Sequence, residues 1–351
     1  MTTLQETILR VARCLSTIID RASVREDCGR GELRRVMMSV DERLNHSHQE
    51  KSMDRRNFMR RSVEGMSAIP LGAALGSLAH GENEPAATSR AIVHGRVQQS
   101  VMGWCFNPLD PLILAKHAQQ IGLVAIEGVP ASAYPAITAM GLKISLVSSH
   151  GFQKGPLDPD NHAFVEAKLR EGIDLAVKFG APQVITFTGM KKPGITDEAA
   201  KRNCLEVWKR VMPYAEQHGI GLVLEHLNSR DASHPMKGHP GYWGDDIELC
   251  ADLVRSVDSP QFKILFDIYH VQIMHGDLIR NIRHYKDLVG HYHTAGNPGR
   301  GELDETQEIN YPPVIKTILE TGYQGYLAQE FIPTWKDPIA ALAHAAKVCD
   351  V

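Results

Sequence analysis

Residues 221–225 read GLVLE, 263–267 KILFD, 288–293 LVGHYH and 325–330 GYLAQE. Each run is apolar with little polar alternation, the pattern of a strand buried on both faces. Each closes on a side chain able to bind a metal or move a proton: Glu225, Asp267, His293 and Glu330. In a closed parallel barrel the strand ends converge on one rim, so these residues are expected to meet there. A lone carboxylate at a strand end is usually a cap or ion-pair partner for the next helix. Carboxylates and an imidazole ending successive strands fit that account poorly, because buried charges are costly unless paired or metal-bound.

Working outward, further strands are expected at 97–101, 123–127, 143–148 and 183–187. Amphipathic helical stretches are expected at 111–120, 131–140, 161–179, 197–218, 245–254, 271–285, 312–320 and 338–348. Strand, helix, glycine turn and strand repeat in the rhythm of a parallel α/β sheet. The spacing predicts a (β/α)8 TIM barrel over residues 95–351, close to the ~250 residues such barrels need. An open doubly wound sheet is disfavoured, since no glycine-rich phosphate loop follows the first strand.

The 351-residue chain is 43% hydrophobic with a formal net charge of −3. That charge argues against nucleic acid as an obligate partner. No run is long and apolar enough for a stable membrane anchor. The six cysteines form no CxxC pair and are read as free thiols. The partner implied is a small-molecule substrate. A homodimer is compatible with a barrel, although no segment marks an interface.

Residues 1–52 are arginine-rich and polar, and read as a disordered extension or as sequence ahead of a true start at Met53. The segment 53–80 holds Arg55-Arg56-Asn57-Phe58-Met59, then a mildly apolar stretch ending in Ser77-Leu78-Ala79. It resembles a twin-arginine export signal, an address read by the Tat translocase during transient contact. The expected location is therefore periplasmic or exported, after folding in the cytoplasm. Residues 81–94 read as a linker.

As ligands, Glu225, Asp267, His293 and Glu330 give an oxygen-rich set suited to Mg²⁺ or Mn²⁺, with Zn²⁺ or Co²⁺ admitted by the histidine. A metal gripping both oxygens of a hydroxy-carbonyl compound acidifies the C–H between them, and a nearby carboxylate can move that proton. Glu225 and Glu330 are the candidates. His270, three residues past Asp267, and Asn228, three past Glu225, reach the same rim. Arg300, in a tight turn after His293, can take a substrate carboxylate with both arms of its guanidinium. Glu127, His150, Trp104 and Asn107 follow earlier strands and are expected around the pocket. His226 should point away from the barrel interior by strand alternation. The long loop 227–243 carries His234, Lys237 and His239, read as a solvated excursion.

The segments LEHLNSRD, FDIYH, HYHTAGNPGRGELDETQEINY and AQEF resemble the hydroxypyruvate isomerase branch of the xylose isomerase-like barrels. The resemblance implies metal ligation by Glu225, Asp267, His293 and Glu330, with the two glutamates doubling as the acid/base pair. It implies substrate contacts from His270 and Arg300, and interconversion of hydroxypyruvate and tartronate semialdehyde through an enediolate. This chain departs from that branch by an insertion at 232–238 and by His293, where the branch often has Gln and the 3-epimerases of the same barrel have His. A sugar 3-epimerase, or a metal-dependent lyase or hydrolase, is the alternative.

Overall fold

The computed structural model describes residues 90–351. The extension 1–52, the signal segment 53–80 and the linker as far as residue 89 lie outside the described residues.

Eight strands occur among the described residues: β1 Gln98–Val101, β2 Ala125–Ile126, β3 Lys143–Ile144, β4 Gln183–Thr186, β5 Gly221–Glu225, β6 Phe262–Asp267, β7 Val289–Thr294 and β8 Tyr326–Gln329. All pairings between them are parallel. Six run in the order β1-β8-β7-β6-β5-β4, and β2 pairs with β3. Backbone hydrogen bonds join the two groups. Val124 N donates to Gln99 O (3.0 Å) and Glu127 N to Val101 O (2.9 Å) on one side. Val147 N donates to Gln183 O and Ile185 N to Val147 O, both 3.0 Å, on the other. The result is the TIM barrel expected from the strand rhythm. β2 and β3 are shorter than the apolar runs 123–127 and 143–148, whose remaining residues contribute single bridges at Glu127 and Val147.

The helices are α1 Pro111–Ile121, α2 Tyr134–Ala139, α3 His162–Phe179, α4 Asp197–Gln217, α5 Ile247–Val257, α6 Ile268–Met274, α7 Leu278–Tyr285, α8 Tyr311–Glu320 and α9 Pro338–Val348. α3 shows why they lie on the barrel: Val165, Leu169, Ile173 and Ala176 recur at helical spacing and are buried, while Glu171, Asp174 and Lys178 are exposed. α1 starts at Asp110, whose carboxylate accepts from Leu112 N and Ile113 N, and stops at Gly122 with φ +105°. The single helix expected at 271–285 is two helices. Gly276 (φ +65°) and Asp277 (φ +47°) are left-handed and break it. The first piece begins earlier, at Ile268, because Asp267 caps it.

Residues 90–94, assigned to the linker by composition, are fastened to the barrel instead. Ala91 N and Ile92 N donate to Ile121 O, and Ile92 is 3% exposed. Val93 N, His94 N and Gly95 N all donate to the Asp350 carboxylate at 2.5–2.8 Å. The tie is between segments far apart in sequence, which local composition does not reveal.

Candidate active site and metal centre

The ends of β5–β8 place Glu225, Asp267, His293 and Glu330 together. One ligand atom from each lies within 4.8 Å of the others, and all are buried. Register explains the meeting: Asp267 is directly opposite His293, and Glu330 N donates to Thr294 O next to it. His293 Nδ1 lies 2.7 Å from Glu330 Oε2 and 3.5 Å from Glu225 Oε1.

Each residue divides its polar atoms in the same way. Asp267 Oδ1 accepts from Tyr269 N (2.8 Å) and His270 N (3.3 Å), capping α6, while Oδ2 has no hydrogen-bond partner. His293 Nε2 lies 2.8 Å from Glu127 Oε1, while Nδ1 has none. Glu225 Oε1 and Glu330 Oε2 are likewise buried without a hydrogen-bond partner. Buried polar atoms without hydrogen bonds are costly, and here they converge on one point, where their remaining contacts are ion pairs among themselves and with His270 and Arg300. An imidazole nitrogen against two carboxylate oxygens demands a proton or a cation between them. The donor set therefore fits a divalent ion: three carboxylate oxygens and one nitrogen, held from behind by other bonds.

Glu127, expected to touch substrate, lies behind this set. Its Oε1 takes His293; its Oε2 takes Ser145 Oγ (2.5 Å) and faces His291 Nε2 at 3.1 Å. Both its oxygens are engaged, so it backs His293 as well as lining the cavity expected to hold substrate. Burial alone would raise the Glu127 pKa. The His291 charge, then the hydrogen bonds from both imidazoles, outweigh it and hold the carboxyl well below its ordinary range. An anionic Glu127 holds a His293 proton on Nε2, so that Nδ1 would be the atom offered to a metal in place of its second proton, the carboxylate–histidine–metal relay. His291 was not singled out from sequence, although it lies two residues before His293 and so on the same strand face.

His270 is tautomer-fixed too. Its Nδ1 accepts from Asn228 N (3.1 Å) and from the Asn228 side-chain amide (2.7 Å). The proton therefore sits on Nε2, which faces Asp267 Oδ2 at 3.5 Å. Asn228 also donates to Lys237 O and accepts from Asp231 N, so its amide positions the loop and His270 and is not free for substrate. His150 is likewise not a substrate contact. Its ring nitrogens lie 3.0 Å from Lys154 O and Thr186 Oγ1, and its ring meets Phe187 edge-on at 5.9 Å.

Arg300 reaches the centre. Its Nη2 is 2.7 Å from Glu330 Oε2 and 3.6 Å from Asp267 Oδ2, and Nη1 donates to Met236 O at 2.6 Å. The guanidinium stands over the rings of Trp104 (5.3 Å) and Tyr269 (5.6 Å). Its Nε is buried without a partner, leaving a donor for a ligand oxygen. The residue holds φ +56°, a left-handed conformation that costs a non-glycine residue about 1 kcal/mol or more and is tolerated where the surroundings fix it. These surroundings split the acids. Burial, then the Glu330 charge, pushes Asp267 up to about 7, and burial also raises Glu225. Burial opposes ionisation of Glu330, but Arg300 and then His293 hold it down at about 2.

A cavity of about 190 Å³ opens beside Glu225, Glu330 and Arg300. Trp104 lines it as expected; Asn107 is exposed and does not. The loop 227–243 is only partly the solvated excursion its composition suggests. His234 is exposed, but His239 is 6% exposed, stacks on Phe152 at 4.2 Å and lines the cavity together with Met236. The His239 backbone N–H donates to Asn228 O, and that bond turns the ring inward. His226 points out of the barrel, as alternation requires, and bonds to Asp245 O.

With the geometry in place, the kinship is decided by a family model, the xylose isomerase-like TIM barrel, which matches residues 120–349. The chain belongs to that family. Among its relatives is a human protein named "Putative hydroxypyruvate isomerase", 28% identical over 249 residues, 66% of this chain and 88% of the relative. The hydroxypyruvate isomerase of Escherichia coli is 28% identical over 185 residues, 49% of this chain and 69% of the relative. A solved structure of an AP endonuclease, family 2, from Brucella melitensis has the same fold (TM-score 0.57, 24% identity, covering 70% of this chain and 96% of that one). With relatives named as isomerases, this member of the xylose isomerase-like family is an enzyme of the isomerase kind.

Proposed function

We propose that this protein is a divalent-metal-dependent isomerase of a small hydroxy-carbonyl acid, with hydroxypyruvate and tartronate semialdehyde as the reference pair. The carrying observation is the convergence of four buried atoms without hydrogen-bond partners, Glu225 Oε1, Asp267 Oδ2, His293 Nδ1 and Glu330 Oε2. These atoms would hold the ion, with Mg²⁺ or Mn²⁺ matching the oxygen-rich set. When bound, such an ion polarises a carbonyl and lowers the pKa of an adjacent hydroxyl.

The chain's own residues supply the rest. Arg300, with its free Nε–H and its Nη2 beside Glu330, takes the substrate carboxylate and fixes which end faces the metal ligands. A carboxylate of the Glu225/Glu330 pair removes the proton from the hydroxyl-bearing carbon, giving an enediolate. Return of a proton to the neighbouring carbon completes the isomerisation, with no atom gained or lost. Phe152, Phe187 and Leu227 give the cavity apolar walls. A 3-epimerase would use the same pair on one carbon, returning the proton to the opposite face. His293, in place of the glutamine common in the isomerase branch, is the feature that favours this second reading.

The test is deuterium exchange from D₂O into hydroxypyruvate, with the Mn²⁺-loaded protein, followed by NMR. Glu330→Gln and Glu225→Gln are each expected to lower exchange by at least about 10²-fold, the usual worth of an acid/base group, with the melting temperature retained. Full exchange in either variant rules out its acid/base role. The proposed place of action is the periplasm, a reading supported by the Arg55-Arg56 segment alone. N-terminal sequencing of the native exported product tests it.

A further inference from the structure

The cavity is chemically lopsided. One end is Glu225, Glu330 and Arg300; the walls beyond are Leu146, Phe152, Ile185, Phe187, Leu227 and Met236. Most of the polar groups that also line it are spoken for or stand at the edge. Both Glu127 oxygens are engaged. The Ser149 hydroxyl donates to Ile185 O, and Ser148 is at the exposed mouth. His239 and the indole N–H of Trp104 are the polar groups left; the His239 ring lies against Phe152 and the Trp104 ring under Arg300.

A substrate gripped at the carboxylate end must lay its remaining carbons along those apolar walls. A polyol tail carries several hydroxyls that would lose water there and find at most His239 and the Trp104 N–H in exchange, and an unpaired buried hydroxyl is costly. An alkyl or aryl group meets the opposite situation, gaining from its own burial. The space suffices: an apolar cavity of ~150 Å³ holds benzene, and this one is about 190 Å³.

We infer that the site takes hydroxy-oxo acids carrying an apolar tail, in preference to polyhydroxylated ones. The inference rests on the isomerase reading for the head of the substrate but concerns the tail alone. The reaction would convert R–CH(OH)–CO–COO⁻ to R–CO–CH(OH)–COO⁻, with R alkyl or aryl. The C3 proton is removed and a proton is delivered to C2, while the C3 hydroxyl gives up its proton and the C2 oxygen takes one up, so that the overall count is unchanged. No co-reactant is consumed.

Two non-reacting probes of equal length separate tail from head. 2-Hydroxyhexanoate and gluconate are both six-carbon 2-hydroxy acids, one with an alkyl tail and one with a polyol tail. Calorimetric titration of each into the full chain, with and without Mn²⁺, is expected to favour 2-hydroxyhexanoate by roughly 10–10²-fold, the range for a methylene gained or a hydroxyl misplaced in an apolar pocket. Phe152→Asn and Met236→Gln, both at half-buried loop positions tolerant of change, should each shrink that ratio by roughly tenfold, and their melting temperatures verify folding. Equal affinity, tighter binding of gluconate or no binding of either probe overturns the inference. Because the titration needs no turnover, its outcome is independent of the hydroxypyruvate exchange experiment. Exchange with the wrong tail preference sinks only the tail inference; the right preference without exchange sinks only the isomerase reading.

Discussion

At the scale of single residues, the site is built from side chains with one atom tied and one atom offered. Asp267 gives Oδ1 to the start of α6 and keeps Oδ2 for the centre. His293 gives Nε2 to Glu127 and keeps Nδ1. Binding of one atom fixes the direction of the other, which is how a fold prepares a metal site before the metal arrives. Glu127 is thus a positioning residue, and Glu127→Gln tests that role. The amide keeps the shape but loses the charge that pins the His293 proton, and it leaves His291 without its anionic partner. Mn²⁺ affinity, measured by calorimetry, is expected to fall 10–100-fold, the usual cost of losing a residue that orients a metal ligand. A purely structural role would lower the melting temperature and leave the affinity of the folded protein unchanged. The four central residues were legible in sequence because each ends an apolar run. Glu127 was legible as a pocket residue but not in its role, since the partners that engage its two oxygens come from β7 and the loop after β3, distant in sequence.

At the scale of elements, the strand–helix rhythm was readable because the periods differ sharply: buried β runs beside 3.6-residue stripes such as Val165, Leu169, Ile173 and Ala176. Where the reading departed from the structure, the cause was local geometry that periodicity cannot carry. The break between α6 and α7 depends on the left-handed Gly276 and Asp277 within an otherwise helical pattern. The burial of His239 depends on a loop that folds back onto Asn228. The tie between residues 93–95 and Asp350, just past α9, belongs to the same class. Three backbone N–H groups converge on one carboxylate, so Asp350→Ala leaves all three without that acceptor. The loss is expected to be about 1–2 kcal/mol, by analogy with helix N-caps, read as a lower denaturant midpoint at unchanged slope. Partial burial opposes ionisation of Asp350, but the His94, Val93 and Gly95 N–H groups outweigh it and lower its pKa. The contribution is therefore present above the ordinary aspartate range and is lost as pH falls through the lowered folded value. An unchanged midpoint in the alanine variant would show that the termini hold without the clamp.

At the scale of the whole molecule, the barrel keeps an unusual number of imidazoles in dry surroundings, and that sets how its stability answers to acid. Burial holds His150 down to about 4, His226 to about 3 and His239 to about 4, while His270 is also pushed well below its ordinary value by burial and then by the Arg300 charge. Each has a structural reason to stay neutral: His270 Nδ1 accepts from Asn228, and His226 faces the His275 ring at 5.8 Å. In the unfolded chain these histidines titrate near the ordinary value of ~6.5. The folded pKa values are depressed, so the stabilising contribution is complete above ~6.5 and is lost as pH falls toward the folded values. Burial opposes the charge on His293, but Glu330 and the other carboxylates outweigh it and raise the pKa, so its contribution has the opposite sign: it is full below ~6.5 and is lost as pH rises toward the raised folded value. In EDTA, which keeps metal linkage out, the four depressed rings pull the melting temperature down between about pH 6.5 and 4, while Asp267 and Glu225, raised by burial, take up protons in the folded state and oppose that decline. His226→Gln, which can still donate to Asp245 O, should flatten that decline by about one proton's worth of slope. His226 is the informative choice because it faces away from the site, so its replacement separates the stability profile from metal binding. The same pH slope in His226→Gln as in the parent would mean that the barrel lets this ring charge without opening, and would remove burial as the reason it stays neutral.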